Sequence, residues 1–417
     1  MSIVALAAAA CAPSGGQLES DGTWVGTITA EGNVTTVVNE SGSVWGGSAT
    51  LLGEASIGVD SGPDEYMFGE ITGIHVSERF IYVVDQQVPR VRQYTLDGQH
   101  VRDLGRQGQG PGEYETPGAI TGDGTGRIFV QEDGARRINV YSEAGEVLDS
   151  WPAPEFVCCK DPIVPQRDGN VLVVVWNGQR NAVLPYGVQA HGPGGPFGAI
   201  REPEPIPFEP ATIGVEFGTE VVNAPVPFSP YHLFALAPSG AIVLATSDRY
   251  RFEVRQPDGR RTIVERSFTP TPVVTEEADW QRKRFIALMS EYGGELAWDG
   301  TGMPGYKPAM FELAPQPDDS TWVVRQGPSE RVDACIEDPI AAGSEAADDA
   351  PCWRDSWIFD AFDEQGRYLG EIDGLDRVAS ARSTIVSIGD MVVAPVEDEM
   401  GTIMVKRYRL ELPSNRE

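Results

Sequence analysis

Histidine is scarce in this chain. Four occur among 417 residues, His75, His100, His191 and His232. No Ser-His-Asp order, no His-Glu-x-x-His run and no paired Cys-x2-Cys spacing stands out, so the common nucleophilic and zinc signatures are missing. Basic side chains are few as well: 32 Lys and Arg face 62 Asp and Glu, a formal charge of -30. Such a surface repels phosphate backbones, which excludes nucleic acid as a partner. It reads first as a well-solvated acidic surface rather than as a store of specific cation sites. No apolar run approaches the roughly 18–20 residues that a membrane-spanning helix needs.

Glycine and proline, by contrast, are abundant, at 47 and 32, and 41 % of the residues are apolar. A chain this apolar packs a core. Many tight turns and short strands point to an all-β fold. An internal repeat supports this. "SGPDEYMF" (61–68), "QGPGEYETP" (109–117) and "TGMPGYKPAMF" (301–311) each read as a Gly/Pro turn, an aromatic and an apolar strand, and Gly62 and Gly110 lie 48 positions apart. Each of the first two is followed by strand, turn, strand, turn, strand, turn, strand. The acid-to-arginine spacing also repeats, Asp85 with Arg90 and Glu132 with Arg137, and reads as a clamp across a hairpin turn. Weaker copies open at Asp161, Tyr231, Ala309 and Ser383, and the last stops one strand short. Six four-strand units predict a six-bladed β-propeller. The alternating "GNVTTVVNE" (32–40) is the expected missing strand, pairing in the last blade and closing the ring over residues 32–417.

The stretch "GRQGQGPGEYETP" (105–117) is glycine-rich, but its glycines at 108, 110 and 112 lack the Gly-x-Gly-x-x-Gly spacing, and no Lys-Ser/Thr pair follows. It reads as a crossover between blades. That stretch, the units "YVVD…RVRQY" and "FVQED…RINVY", and the tail "DMVVAPVEDEMGTIMVKRYRLEL" resemble bacterial six-bladed propeller lipoproteins of the NHL-repeat type. The resemblance implies export and a propeller, and it does not imply a reaction.

The first residues fit that picture. The apolar run before Cys11 resembles a lipoprotein signal, in which the cysteine receives a diacylglycerol anchor. No basic residue precedes it, so residues 1–11 are expected to be a truncated signal whose true start lies upstream, with 12–31 as a linker. Ala12 is not the Asp that retains lipoproteins at the inner membrane, which favours the outer membrane of the cell envelope. The anchor is then the only membrane contact. Export favours cysteine pairing. Cys335 and Cys352 bracket an acidic loop, and a disulfide there would remove about 3 kcal/mol of unfolded-state entropy. Cys158 and Cys159 are left to form a vicinal bridge or to remain thiols. A cross-link from either of them to a downstream cysteine is the competing arrangement.

Three insertions interrupt the repeat: a proline-rich segment (191–210) expected to lack regular structure, a helix (275–296) and the cysteine-bracketed loop. Thr275 is expected to cap the helix, and Phe285, Leu288, Met289, Tyr292 and Leu296 fall on one face. Loops on one face of a propeller commonly carry binding. A binding or scaffolding module for a protein, peptide or glycan is therefore the leading reading, ahead of an enzyme. No catalytic residue and no cofactor is assigned. The alternative is a metal-dependent hydrolase or lyase with its site in the channel. By resemblance to lactonase-like propellers, Glu70, Asp161 and Glu312 would hold calcium; by resemblance to amidating lyases, His232 with His191 would hold zinc.

Overall fold

The computed structural model describes residues 24–153, 163–176, 184–332, 352–379 and 385–413. Strands such as Phe80–Asp85 and Arg127–Glu132 are buried over five consecutive positions. A strand hidden on alternate positions would have one wet face; these have none, because a neighbouring sheet covers each side.

Six blades follow in chain order, the last two joined in one sheet through an N-terminal strand. Blade 1 is Ile71–Val76, Phe80–Asp85, Arg90–Thr95 and His100–Leu104; blade 2 is Pro117–Gly122, Arg127–Glu132, Arg137–Ser142 and Val147–Pro152. Blade 3 is Val164–Pro165, Val171–Trp176, Tyr186–Gly192 and Gly195–Arg201, and blade 4 is His232–Leu236, Ile242–Thr246, Arg251–Arg255 and Arg261–Arg266. Blade 5 is Glu312–Pro315, Thr321–Gln326, Trp357–Phe362 and Tyr368–Asp373; blade 6 begins with Val386–Ile388, Met391–Glu397 and Ile403–Glu411. Within each blade the neighbouring strands are antiparallel.

Six hydrophobic clusters sit between the blades. Tyr82 and Val130 share one, Phe129 and Val171 the next, then Val174 and Leu244. Val243 and Val323 share the fourth, Phe359 and Val392 the fifth, and Val393 packs with Ile81 in the sixth, bringing blade 6 onto blade 1. Each fully buried large side chain contributes about 1.5–3 kcal/mol, so the inter-blade clusters dominate the stability of the fold. Blades 1 and 2 approach closely at Gly73, where a Cβ would lie 3.0 Å from the Gly118 carbonyl oxygen.

Three N-terminal strands lie outside the repeat: β1 (Val25–Glu31), β2 (Val34–Ser41) and β3 (Ala49–Ile57). β1 and β2 form a hairpin, and β2 runs parallel to the outer strand of blade 4. The N–H groups of Val44 and Trp45 then donate to the Tyr368 and Leu369 carbonyls of blade 5. β3 touches Ile372 of blade 5 and pairs antiparallel with Ile403–Glu411, supplying the fourth strand of blade 6. One segment thus straps three successive blades together along their outer edges.

This corrects several expectations. The segment 32–40 lies on blade 4, not on the last blade, and part of the supposed linker is β1. The proline-rich insertion is partly regular, since Gly195–Arg201 completes blade 3, and a further hairpin, Thr212–Phe217 with Glu220–Pro225, follows it. The helix spans Thr275–Glu291, its N-cap is Val274, and no side chain caps it. Its apolar face is not a core stripe: Glu277 is its one buried residue and Tyr292 beyond it is 72 % exposed.

The repeated acids do not clamp their arginines. The Asp85 carboxylate accepts from the N–H groups of Gly69, Glu70 and Val88 and from buried Arg92, while Arg90 turns to Asp103. Glu132 likewise accepts from Thr116 and Ala135 N–H, and Arg137 reaches the Gln109 carbonyl. Each acid ties the incoming crossover to a turn, because a carboxylate can gather several orphan N–H groups that an arginine cannot. The crossover tyrosines repeat too: Tyr66 packs on Tyr94 at 6.0 Å, and Tyr114 on Tyr141 at 6.1 Å. Tyr306 in the third copy is 59 % exposed and does not follow them.

Candidate binding face

Strand direction decides where the connections emerge. In each blade the inner strand starts at the end where the second strand finishes and where the previous blade's outer strand finishes. Connections after second and fourth strands therefore share one face, called here the upper face. Connections on the lower face run from two to five residues. The upper face carries the long ones: 202–231 with its hairpin, 267–311 with the helix, and 327–356. All three predicted insertions thus open, wholly or in part, on one side. They also touch each other, since Glu216 of the hairpin exchanges backbone hydrogen bonds with Glu295 beyond the helix.

A buried ion cluster fixes the helix to this face. Lys307, with its side chain fully buried, reaches Glu277 of the helix at 3.0 Å and Asp355 at 3.1 Å. Its ammonium also donates to Ser329 at 2.6 Å and to the Gly327 carbonyl at 3.0 Å. Four partners from two upper-face connections meet on one ammonium, which replaces the apolar packing that the helix lacks.

At the mouth of the channel aromatic residues stand at the start of the inner strand of blade 4 and just before that of blade 5. The His232 ring lies 4.5 Å from Phe208, and its Nε2 is 2.8 Å from the Ile206 carbonyl. Tyr231 donates to the Phe311 carbonyl at 2.8 Å, and Phe311 lies 4.6 Å from Trp357. These aromatic residues are half-buried. Beside them Glu312 shares a cleft with Ala314, Val324, Trp357 and Phe359 between blades 5 and 6.

The expected channel set is only partly brought together. Glu312 lies in that cleft, His232 is engaged by the 202–211 segment, and Glu70 sits exposed on the rim of blade 1. Asp161, Cys11, Cys158, Cys159 and Cys335 lie outside the described residues. Cys352 is 4 % exposed in the short strand Cys352–Arg354. Among the described residues no group of three or more His, Cys, Asp or Glu is placed to hold a metal ion. His75 and His191 belong to the framework. Burial pushes His75 down to about 4, against the opposing charge of Asp123, and burial lowers His191 as well.

Many of the acids serve turns rather than ligands. On the lower face the Asp123, Asp168, Asp258, Asp318 and Asp363 carboxylates each accept from the backbone N–H two residues ahead. The glycine-rich crossover does form an anion cradle, but the Gly110 N–H and the Arg106 side chain enclose the chain's own Glu113 carboxylate. Those bonds hold Glu113 below the ordinary carboxylate range.

Residues 61–159, covering the entry crossover and blades 1 and 2, match the DUF5128 family model, described as a six-bladed β-propeller. The chain is a six-bladed β-propeller. Its fold is similar to a DUF4221 family member from Bacteroides vulgatus, at 7 % identity and TM-score 0.48 over 88 % of this chain and 99 % of that one. It is also similar to virginiamycin B lyase from Staphylococcus aureus, at 12 % identity and TM-score 0.39 over 82 % and 95 %. A third is regucalcin, a calcium-binding protein from Agrobacterium tumefaciens, at 9 % identity and TM-score 0.37 over 88 % and 97 %.

Proposed function

We propose that this propeller is an exported binding module that holds a protein, peptide or glycan on its upper face. The observation that carries the reading is the gathering of the long connections and of the half-exposed band Tyr231, Phe311 and Trp357 on one side, opposite a face of two-to-five-residue turns. Partly buried aromatic rings beside long loops bind apolar or sugar faces without demanding a fixed reaction geometry. In this reading the chain is tethered to the cell envelope, at the outer membrane, by lipid on Cys11. The resemblance to NHL-type lipoproteins belongs here too, as does a Cys335–Cys352 disulfide bracing the connection after the second strand of blade 5, with β3 as the strand that closes the ring. A channel enzyme remains the competing reading.

The test is binding to immobilised glycan and peptide panels by the wild type and by Trp357→Ala. The wild type is expected to retain one ligand class that the variant loses by at least tenfold. Equal retention by both proteins would remove the aromatic band from the function.

A further inference from the structure

The upper-face hairpin, Thr212–Phe217 with Glu220–Pro225, has an open edge. The Val226 N–H donates to the Ala211 carbonyl, and the alternation from that bond turns the Glu220, Val222 and Ala224 backbone toward the neighbouring strand. The N–H and C=O groups of Val221 and Asn223 therefore point the other way, where no strand among the described residues pairs with them. Such edges are usually blunted by lysine, proline or a bulge. Here Pro225 blunts one end, while Val221 and Val222, on opposite faces, are 67 % and 48 % exposed. The other edge of the hairpin is occupied, because Glu216 and Glu295 exchange both backbone hydrogen bonds. Val221 is the cross-strand partner of Glu216, so Glu295, Glu216 and Val221 form one exposed row on one face. Like charges directly opposite repel, and among the described residues neither carboxylate meets a cation. The stretch 202–225 holds five Glu and no Lys, Arg or His.

We infer that this edge takes an extended segment of a basic polypeptide as an added strand, with lysine or arginine placed beside Val221. Residues of the incoming strand that bond Val221 and Asn223 turn their side chains to the face of Glu216 and Glu295. Strands lie about 5 Å apart, so a long basic side chain opposite Val221 reaches across one strand to Glu216. The residues between lie beside Val222 on the other face and are apolar. The fitting sequence thus alternates basic and apolar residues, with main-chain bonds supplying affinity and side chains the choice. A second copy of this chain is repelled, since it brings the same glutamates and a formal charge of -30. The inference rests on the upper-face binding reading and narrows it to strand addition by a basic polypeptide.

Calorimetry on the whole chain with N-acetyl-Val-Lys-Val-Lys-Val-Lys amide tests it. The wild type is expected to bind this peptide at least tenfold more tightly than the same peptide with Glu in place of Lys. Two methylated forms read the register. N-methylation of the lysine amides, which meet the edge, is expected to cost at least tenfold; N-methylation of the valine amides, which face away, less than threefold. Val221→Pro deletes an N–H that the hairpin itself does not use and is expected to lose at least tenfold. Glu216→Gln is expected to lose at least threefold, and Glu146→Gln, an exposed acid on the lower face, to stay within twofold. Equal binding of the two methylated peptides would overturn the proposal, as would equal losses in the two glutamine variants. The peptide comparisons use the wild type alone, so a misfolded variant does not protect the idea. A wild-type dimer in analytical ultracentrifugation that Val221→Pro dissociates would give the edge to a second copy and overturn it too. If the lysine peptide does not bind while a ligand on the panels still depends on Trp357, strand addition falls and the binding reading survives.

Discussion

Asn39 makes four hydrogen bonds with one amide. Its oxygen accepts from Trp24 Nε1 and from the Tyr368 N–H, and its nitrogen donates to the Glu265 and Gly366 carbonyls. It is 3 % exposed, so none of these partners has ready access to water in its place. Asn39→Ala is therefore expected to cost about 2–4 kcal/mol in urea denaturation, since it orphans buried groups on three elements. A loss below about 0.5 kcal/mol would mean that the strap is not held here. His75 gives a pH signature. It stacks on Tyr82 and is lowered to about 4 in the folded state, below its ordinary value of about 6.5. The unfolded chain thus takes up the proton first. Stability is full above pH 6.5 and is lost as pH falls from there toward 4, by roughly 2–3 kcal/mol from this group. In His75→Phe, denaturation between pH 7 and pH 4 is expected to show a shallower decline; an unchanged slope would contradict the burial. Neither residue was marked as special by its sequence neighbours: three of the partners of Asn39 come from blades far along the chain, and His75 meets Tyr82 only when the first two strands of blade 1 pair. The turn-capping aspartates were legible in principle, since an Asp two residues before a Thr, Asn, Arg, Ser or Gln recurs at the lower turns.

Among the elements, the strap and the helix depart most from the repeat. Blades 1 and 2 could be read from the sequence because their crossovers carry the same Gly-Pro and Glu-Tyr pattern and their tyrosines pack alike. The placing of 34–41 could not: a parallel pairing on the outer edge of blade 4 asks only for an alternating strand, and an alternating strand suits any edge. Deleting residues 1–42 removes β1 and β2 and is expected to give a monomer that melts at a lower temperature. Deleting residues 1–58 also removes β3 and bares the edge of Ile403–Glu411, so aggregation is expected on size-exclusion chromatography. Two equally monomeric proteins would contradict the role given to β3. The helix face seemed a packing stripe, but the helix is held by charge instead. Lys307→Met leaves the Glu277 carboxylate buried without its cation, and a loss of about 3–5 kcal/mol is expected. Hydrogen exchange over 275–291 should rise in that variant, and unchanged protection would show that the cluster does not pin the helix.

For the molecule as a whole, the asymmetry between the two faces is the claim on which the functional reading stands. Blade count and the place of the insertions could be foreseen from the repeat, whereas the aromatic band could not, because Tyr231, Phe311 and Trp357 are 80 and 46 positions apart in sequence and meet only when blades 4 and 5 stack. The acidic excess gave no guide to the site, since so many carboxylates are consumed by turns and crossovers. The direct test is photo-cross-linking in intact cells that express the protein with a cross-linking amino acid at one position at a time. Tyr292 and Tyr306 report on the upper face and Asp97 and Asp258 on the lower, all four being exposed. The expected result is a discrete adduct from the upper positions and none from the lower ones. Adducts from the lower positions alone, or from all four alike, would contradict a binding face built by the insertions.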